Sequence, residues 1–262
     1  MEAEKEMFAN ADIIRIAMRQ SALDLNCKES DFLQAENVIV QAKVSAQARK
    51  YYQEPIACNL VTYGNNIVAA VKDEHRATVQ EYIGKFTFYH CFETPNMHWL
   101  DSRMRKVGQQ VCFMAEYFLP DLRRIRRLPC GFALKVLEQS DFKDLYLPEW
   151  GNALCKDRKP LDVLGVGAYQ DDQLIGLAGC SADCDTMWQI GVDVLPAFRR
   201  QGIGAALTSN LAMEILKRDK VPFYCCAWSN IPSARNAVKS GFVPAWAEMT
   251  VKPQNVVEAM NK

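Results

Sequence analysis

The stretch that decides the fold reads Trp188-Gln-Ile-Gly-Val-Asp-Val-Leu-Pro-Ala-Phe-Arg-Arg-Gln-Gly-Ile-Gly-Ala-Ala-Leu207. Apolar side chains alternate from Ile190 to Val194, which predicts a strand with one apolar face. Pro196 ends this strand because proline has no N–H to donate to a sheet. Apolar residues then recur four apart from Ile203 onward and predict a helix. The stretch therefore predicts a strand, a short turn and a helix in succession.

The turn between the strand and the helix has the composition of an anion-binding site. Gly202 and Gly204 lack the Cβ atoms that would keep a bulky anion away from the backbone. The first amides of a helix have no intrahelical partner, and the helix dipole makes that end positive. Arg199 and Arg200 stand shortly before the glycines. This pattern indicates a site for a pyrophosphate group.

Two common phosphate-binding motifs do not fit this turn. A dinucleotide-binding turn needs a glycine three residues after Gly204, where the sequence has Leu207. A Walker loop needs Gly-Lys-Ser/Thr, which is also absent. The remaining pattern is Arg-x-x-Gly-x-Gly/Ala, present as Arg199-Arg-Gln-Gly-Ile-Gly204.

A second segment reads Asn230-Ile-Pro-Ser-Ala-Arg-Asn-Ala-Val-Lys-Ser-Gly-Phe242, after a predicted strand and at the start of a short helix. In order and spacing, the two segments resemble the coenzyme A-binding motifs of the GNAT superfamily of N-acetyltransferases. The resemblance covers about residues 131–252. It implies a GNAT acyl-CoA N-acyltransferase fold in the C-terminal half, with acetyl-CoA as cosubstrate.

The resemblance also implies which residues contact the cofactor. In this family the strand before the glycine turn splays from its neighbour, and the pantetheine arm lies in the gap. Val192 and Val194 would then offer main-chain groups to the arm and the thioester oxygen. The full set of expected cofactor-binding residues is Val192, Val194, Arg199, Arg200, Gln201, Gly202, Ile203, Gly204, Ala205, Asn230, Ser233 and Asn236.

The family's chemistry is direct attack of a neutral amine on the thioester, with an acid that protonates the departing thiolate. Its commonest acid is a tyrosine seven residues after the motif Asn, and this sequence has Ala237 there. The candidates for a replacement are Tyr224 and Ser233, with Cys225 or Cys226 beside them. A core-packing role for Tyr224 is the alternative.

Three acidic residues are candidates for the catalytic base. Asp193 lies on the predicted strand, and Asp183 and Asp185 lie in the loop before it. Asp193 is on the side opposite the apolar face, so a solvent-facing role is its alternative. Water is a further candidate acceptor of the amine proton, because positioning alone supplies much of the rate in such reactions.

Composition narrows the class of protein. Lysine plus arginine equals aspartate plus glutamate at 31 each, so no global field favours nucleic acid or an anionic membrane. No apolar run reaches the length of a membrane span, and the first residues do not resemble a signal peptide, so we expect a cytoplasmic protein. Ten cysteines in 262 residues are too few for a disulfide scaffold. Cys180 and Cys184 supply only half a zinc site, so no metal is expected.

The order of predicted elements gives an α+β fold with a mixed sheet. The basic segment Pro120–Pro129 is predicted to be a linker, either as a solvated connector or as an anion patch. It divides a divergent N-terminal α+β domain, residues 1–128, from an acetyltransferase domain, residues 129–262. Helices are predicted at 5–24, 73–83, 140–150, 204–218 and 233–240, a hairpin at 59–72, and strands at 38–40, 86–92, 111–118, 132–137, 164–170, 173–182, 186–194, 222–228 and 245–251.

The whole chain resembles a group of two-part bacterial GNAT proteins, in which a divergent N-terminal region precedes one intact acetyltransferase domain. Tyr63–Val68 and Phe113–Asp121 carry this second resemblance. It implies that residues 1–128 form a degenerate α+β domain that covers the cleft and shapes acceptor choice, and a GNAT-like fold for this domain is left open.

The sequence thus predicts an N-acetyltransferase that uses acetyl-CoA and acetylates a primary amine of a small molecule or peptide. The alternative is a non-catalytic acyl-CoA-binding regulatory protein. A nucleic-acid binder acting through Arg123–Arg127 is disfavoured by the neutral net charge. Neither nucleic acid nor membrane is expected as a partner, and a homodimer is left open.

Overall fold

The computed structural model describes residues 8–52 and 56–261. The described chain divides into two compact units, of which unit 1 comprises residues 8–16 and 118–244, and unit 2 comprises residues 17–117 and 245–261. The predicted domain boundary after residue 128 stays a prediction. The contacts within the chain place residues 118–128 in the same unit as the glycine turn. Over the described residues, no helix combines the length and the apolar character needed to cross a bilayer.

The helices and strands are numbered in chain order. The helices are α1 (Asn10–Leu25), α2 (Arg76–Lys85), α3 (Thr94–Met104), α4 (Ile203–Leu216), α5 (Ile231–Lys239) and α6 (Gln254–Met260). The strands are β1 (Val38–Gln41), β2 (Cys58–Thr62), β3 (Val68–Val71), β4 (Gln109–Pro120), β5 (Ala133–Glu138), β6 (Asp162–Gln170), β7 (Gln173–Ser181), β8 (Met187–Val194), β9 (Val221–Cys226) and β10 (Phe242–Pro253).

Unit 1 contains strands in the order β9-β8-β7-β6-β5. The strands β5 to β8 pair antiparallel in sequence order, and β9 then pairs parallel to β8. A parallel pair needs a crossover, which α4 supplies between β8 and β9. The result is the mixed sheet that the sequence predicted.

The core of unit 1 lies between this sheet and α4. The apolar stripe of α4 is buried along its whole length, with Ile203 at 2% exposure and Leu207, Leu211 and Ile215 at 0%. The stripe packs in one cluster with sheet residues that include Ile175 and Ile190. Burial of each such side chain stabilises the fold by about 1.5–3 kcal/mol. This packing fixes the position of the N-terminus of α4.

A loop segment lies directly on the sheet where two strands carry glycine. A Cβ atom at Gly191 would lie 1.8 Å from the carbonyl oxygen of Asn152, and one at Gly179 would lie 2.2 Å from that of Ala153. The Asp193 carboxylate accepts hydrogen bonds from the backbone N–H groups of Asn152 and Ala153, at 2.8 and 2.9 Å. The glycines therefore permit the close approach, and Asp193 holds the segment in place.

Unit 2 contains strands in the order β1-β3-β2-β10-β4. Strands β2 and β3 form the predicted hairpin, and Gly64 in its turn has a φ of +100°, which favours glycine. Helices α2 and α3 contribute Val79, Tyr82 and Leu100 to a core shared with these strands.

An ion pair is buried inside unit 2. The Arg49 side chain is 1% exposed, and its Nε donates to the Asp24 carboxylate at 2.6 Å. The Arg49 guanidinium also lies over the Trp246 ring, 5.6 Å from its centroid. Burial raises the pKa of the nearby Glu248 carboxyl to about 7. A buried charge is tolerated only when it is paired or hydrogen-bonded, so unit 2 must pack with Asp24 held against Arg49.

Most predicted elements are present, but two are absent and two helices were not predicted. The helix predicted at 140–150 is wrong, since the chain forms only short 3₁₀ turns at Gln139–Phe142 and Pro148–Trp150. The strand predicted at 86–92 is also wrong, because this segment ends in a 3₁₀ turn at His90–Phe92. Helix α3 was not predicted, and its Pro95 lies in the first helical turn, where proline is favoured. Helix α6 was missed too, and the first residues of the predicted helix 5–24 lie outside the described residues.

We expect the substitution Gly191→Ala to lower the free energy of unfolding by at least about 2 kcal/mol, because the new methyl group meets a backbone carbonyl that cannot move aside. The matched control is Gly84→Ala, where a Cβ atom meets nothing within 4 Å. The control should leave stability unchanged or raise it by about 0.5–1 kcal/mol, since Gly84 lies within a helix. Urea unfolding followed by tryptophan fluorescence measures both. Equal midpoints for the two variants would contradict the close approach.

Candidate functional site

Strands β8 and β9 separate part of the way along their length. They pair in parallel from Met187 opposite Val221 to Ile190 opposite Tyr224. Beyond this pair β8 continues to Val194, but β9 ends at Cys226. A gap therefore opens in the sheet after Ile190, with Tyr224 at its apex.

The main-chain groups of Val192 and Val194 are directed into this gap. Residues of an antiparallel strand alternate between bonding a neighbour and facing away from it. The N–H of Leu195 donates to Ile175 on the β7 side at 3.0 Å, and the register with β7 is regular from Val194 back to Gln189. Alternation then turns Val192 and Val194 away from β7. In keeping with this direction, Nε of Arg199 donates to the carbonyl oxygen of Val194 at 2.9 Å.

The turn after β8 uses the left-handed backbone conformation twice. Gly202 has a φ of +82° and directly precedes α4. Arg200 has a φ of +65°, which is uncommon for a residue with a side chain. Backbones that alternate in this way turn successive N–H groups toward one point and form anion-binding concavities. The amides at the start of α4 complete the same positive end.

A cleft of about 550 Å³ opens over this turn. Eight of the predicted cofactor-binding residues line it. They are Val194, Arg199, Arg200, Gly202, Ile203, Gly204, Ala205 and Asn236. Gln201 is exposed and is not among the lining residues, and neither are Val192, Asn230 and Ser233. The structure thus brings together the residues of the glycine turn with one residue of α5.

The cleft is also lined by two cationic side chains that the sequence analysis did not predict. Arg235 and Lys239 lie four residues apart on α5, and together with Arg199 and Arg200 they make four positive charges. None of the described lining residues is acidic. The i, i+4 spacing of Arg235 and Lys239 was a signal that places both on one helical face. The cleft has the charge and the backbone donors that a phosphorylated ligand needs.

Asn230 and Ser233 shape the start of α5. The Asn230 side chain caps the helix by accepting a hydrogen bond from the Ser233 N–H at 3.2 Å. Capping of this kind stabilises a helix by about 1 kcal/mol. The structure therefore gives Asn230 a clear local role, and its expected contact with a cofactor stays a prediction.

The Tyr224 hydroxyl meets Ser233 at the apex of the gap. The two oxygens are 2.7 Å apart, and the Tyr224 side chain is almost wholly buried. Burial raises the pKa of Tyr224, while the hydrogen bond with Ser233 acts in the opposite direction. The hydroxyl is therefore protonated at neutral pH and available as a proton donor. The two predicted acid candidates lie in direct contact.

The predicted bases are placed less favourably. The Asp193 carboxylate accepts three hydrogen bonds from Asn152 and Ala153, including one from the Asn152 side chain at 2.6 Å. Asp183 is fully buried and pairs with Arg158. Asp185 is exposed in the loop before β8. None of the three lines the cleft, so this geometry does not favour a base role for them.

Ala237 and three tryptophans differ in their surroundings. Ala237 is fully buried in the core of unit 1, so no side-chain hydroxyl comes from that position. Trp188 packs against the same core, and Trp228 is 47% exposed. Trp246 is buried in unit 2, where it stacks on Tyr117.

Solved structures of several acetyltransferases are similar to this chain. A GCN5-related N-acetyltransferase-like protein from Streptococcus suis 89/1591 is 16% identical, with 92% of this chain and 98% of that chain covered and a TM-score of 0.48. A tandem GNAT protein from the clavulanic acid biosynthesis pathway is 11% identical, with 94% and 96% covered and a TM-score of 0.47. The aminoglycoside N-acetyltransferase AAC(6')-Iy in complex with CoA is 18% identical, with 45% and 93% covered and a TM-score of 0.35.

Other matches are shorter relative to the proteins concerned. The chain covers 66% of a GNAT-family protein from Novosphingobium aromaticivorans DSM 12444 and 63% of a GCN5-related N-acetyltransferase from Kribbella flavida. No curated protein gives a significant match.

The family model described as GNAT acetyltransferase matches residues 95–246. This span is more than half of the chain and includes the gap, the glycine turn and α5. The chain therefore belongs to the GNAT acetyltransferase family.

Proposed function

We propose that this protein transfers an acetyl group from acetyl-CoA to a primary amine of a small molecule or peptide. The observation that carries the proposal is that two features lie next to each other along β8, a cationic cleft and an unpaired strand edge. A cationic cleft with bare helix amides follows β8, and an open edge of β8 precedes it. Coenzyme A has a matching order of groups, with a diphosphate, then a long amide-bearing arm, then the thioester.

The cofactor would bind along this path. Its diphosphate would accept hydrogen bonds from the amides at the start of α4, with Arg235 and Lys239 adding charge. Its arm would pair with the main chain of Val192 and Val194 in the gap, displacing the Arg199 side chain from the Val194 carbonyl. A main-chain N–H aimed at the thioester oxygen would stabilise the developing oxyanion by about 3 kcal/mol.

The proposed chemistry is direct attack of a neutral amine on the thioester carbonyl carbon. The new C–N bond forms, the C–S bond breaks, and the electron pair of that bond leaves with sulfur. Tyr224, hydrogen-bonded to Ser233, would give its proton to the departing thiolate. The ammonium proton would pass to water, since the Asp193 carboxylate is engaged by the loop at Asn152.

Several features fit a cytoplasmic setting for this proposal. All ten cysteines are free thiols, five of them buried and five partly exposed, which fits a reducing compartment. The amine acceptor is the proposed partner, and a homodimer is compatible with the proposal.

The proposed activity is tested with purified protein, acetyl-CoA and a panel of primary amines. We expect free thiol to appear in proportion to acetylated amine, and the rate to rise with pH as the amine loses its proton. A thiol reagent measures the first product and mass spectrometry the second. Calorimetric binding of CoA without thiol release on any amine would favour the non-catalytic acyl-CoA-binding alternative. Absence of CoA binding by the folded protein would contradict both.

The role of the missed cations is tested with the variants Arg235→Ala and Lys239→Ala. Loss of one charge–phosphate contact should weaken CoA binding about 10-fold, or about 1.4 kcal/mol, and reduce its dependence on salt. The control is Arg126→Ala, which removes an exposed arginine of unit 1 that does not line the cleft. Calorimetry at two salt concentrations provides the measurement. An equal loss of affinity in the control would show that only net charge matters.

A further inference from the structure

The Arg199 side chain contacts both parts of the proposed cofactor path. Its Nε donates to the carbonyl oxygen of Val194 at 2.9 Å, on the edge of β8 that faces the gap. Arg199 also lines the cleft over the glycine turn. One guanidinium therefore lies between the cleft, which fits a diphosphate, and the strand edge, which fits an amide-bearing arm.

The turn that carries Arg199 is held in place by backbone and ring contacts. The N–H of Phe198 donates to the carbonyl oxygen of Leu195 at 2.9 Å, and the N–H of Arg199 donates to that of Pro196 at 3.4 Å. The Phe198 ring packs edge to face on Phe132, with the ring centroids 6.0 Å apart. This 3₁₀ turn bends the chain back after β8, so the Arg199 side chain reaches the end of that strand.

The Arg199 guanidinium has no carboxylate partner that would hold it at the strand edge. Its side chain is exposed, and no salt bridge joins it to a carboxylate of the described residues. A guanidinium binds a phosphate through two charge-assisted hydrogen bonds, which are stronger than one bond to a neutral carbonyl. A diphosphate in the cleft would therefore draw Arg199 away from Val194.

An arm without a diphosphate meets a less favourable balance at the same edge. To pair with the Val194 carbonyl, its amide N–H must first replace the Arg199 hydrogen bond, and it brings no anion for the guanidinium. When a binding edge is free for only a fraction of the time, the apparent affinity falls by that fraction. A donor with a diphosphate removes this penalty, because it supplies the anion that Arg199 binds.

We propose that Arg199 determines donor specificity, by selecting acyl thioesters of coenzyme A over acyl thioesters of pantetheine, which lack the diphosphate. This inference rests on the proposed function. It concerns the donor site alone and adds no step to the transfer of the acetyl group. It requires a coupling between the two halves of the cofactor, since a diphosphate in the cleft must strengthen binding of the arm, and the arm must strengthen binding of the diphosphate by the same factor.

The binding test divides the cofactor into ADP, which has the diphosphate, and pantetheine, which has the arm. In the wild-type protein, saturating ADP should tighten pantetheine binding about 5-fold, or about 1 kcal/mol, which is the contribution of one hydrogen bond. In Arg199→Ala this coupling should vanish, and pantetheine alone should bind about 5-fold more tightly than it binds the wild type. Calorimetry measures each affinity.

The matched control is Arg200→Ala. Arg200 is the neighbouring exposed arginine and lines the same cleft, and no hydrogen bond joins its side chain to Val194 within the described structure. This variant should bind ADP and CoA more weakly, because a charge is lost, and should keep both the wild-type affinity for pantetheine and the coupling. The proposal is wrong if Arg199→Ala keeps the coupling, or if this variant binds pantetheine no more tightly than the wild type does.

Turnover provides a second measurement if pantetheine binds too weakly for calorimetry. The ratio of kcat/KM for acetyl-CoA to kcat/KM for S-acetyl-pantetheine should fall about 50-fold in Arg199→Ala, from about 10-fold poorer use of the first donor and about 5-fold better use of the second. In Arg200→Ala the ratio should fall only about 10-fold, with S-acetyl-pantetheine used as well as by the wild type.

The failure of this inference is distinguishable from the failure of the proposed function. If Arg199→Ala uses S-acetyl-pantetheine no better than the wild type does, the specificity role is overturned even though acetyl transfer from acetyl-CoA is confirmed. If the folded wild-type protein binds neither ADP nor CoA, the proposed function is overturned, and the specificity role with it.

Discussion

The unpaired amides at the N-terminus of α4 are the feature on which the site depends. A helix cannot satisfy its first N–H groups internally, so a ligand, water or a side chain must do so. No side chain caps α4, because its N-cap position is Gly202. The Cβ that a capping residue would need is the atom that would block a diphosphate. The same glycine therefore leaves the donors open and makes room for the anion that uses them.

The position of these amides is set by packing at a distance. The buried stripe of α4 lies on the sheet of unit 1, and the sheet is closely covered at Gly179 and Gly191 by the segment at Asn152 and Ala153. Asp193 connects the two, since it belongs to β8 and accepts hydrogen bonds from that segment. A residue that sequence reasoning treated as a candidate base is thereby accounted for as a structural contact. The Asp193 carboxylate holds β8 in position, and the main-chain groups of Val192 and Val194 on the same strand face the gap.

The sequence predicted the local parts of the site well and the long-range parts less well. The strand, glycine turn and helix were predicted because each has a periodic pattern or a backbone requirement within a few residues. The contribution of Arg235 and Lys239 depends on how α5 packs beside α4, which no local pattern of α5 specifies. The failed helix at 140–150 has the same origin. Phe142 and Trp150 lie in 3₁₀ turns, and their side chains are buried against strand residues of the sheet. Tertiary contact therefore overrode helix propensity in this segment.

Ala237 and Tyr224 lie in the same core of unit 1. Ala237 on α5 is fully buried there. Tyr224 reaches the same region from β9 instead, and its ring is buried where a polar oxygen without partners would cost about 1–3 kcal/mol. Ser233 removes that cost by hydrogen-bonding the oxygen. Helix α5, which carries Ser233, is itself bonded to α4, because the Asn236 side chain donates to Thr208. A change in the position of α4 would therefore move its own amides and, through α5, the contact between Ser233 and Tyr224.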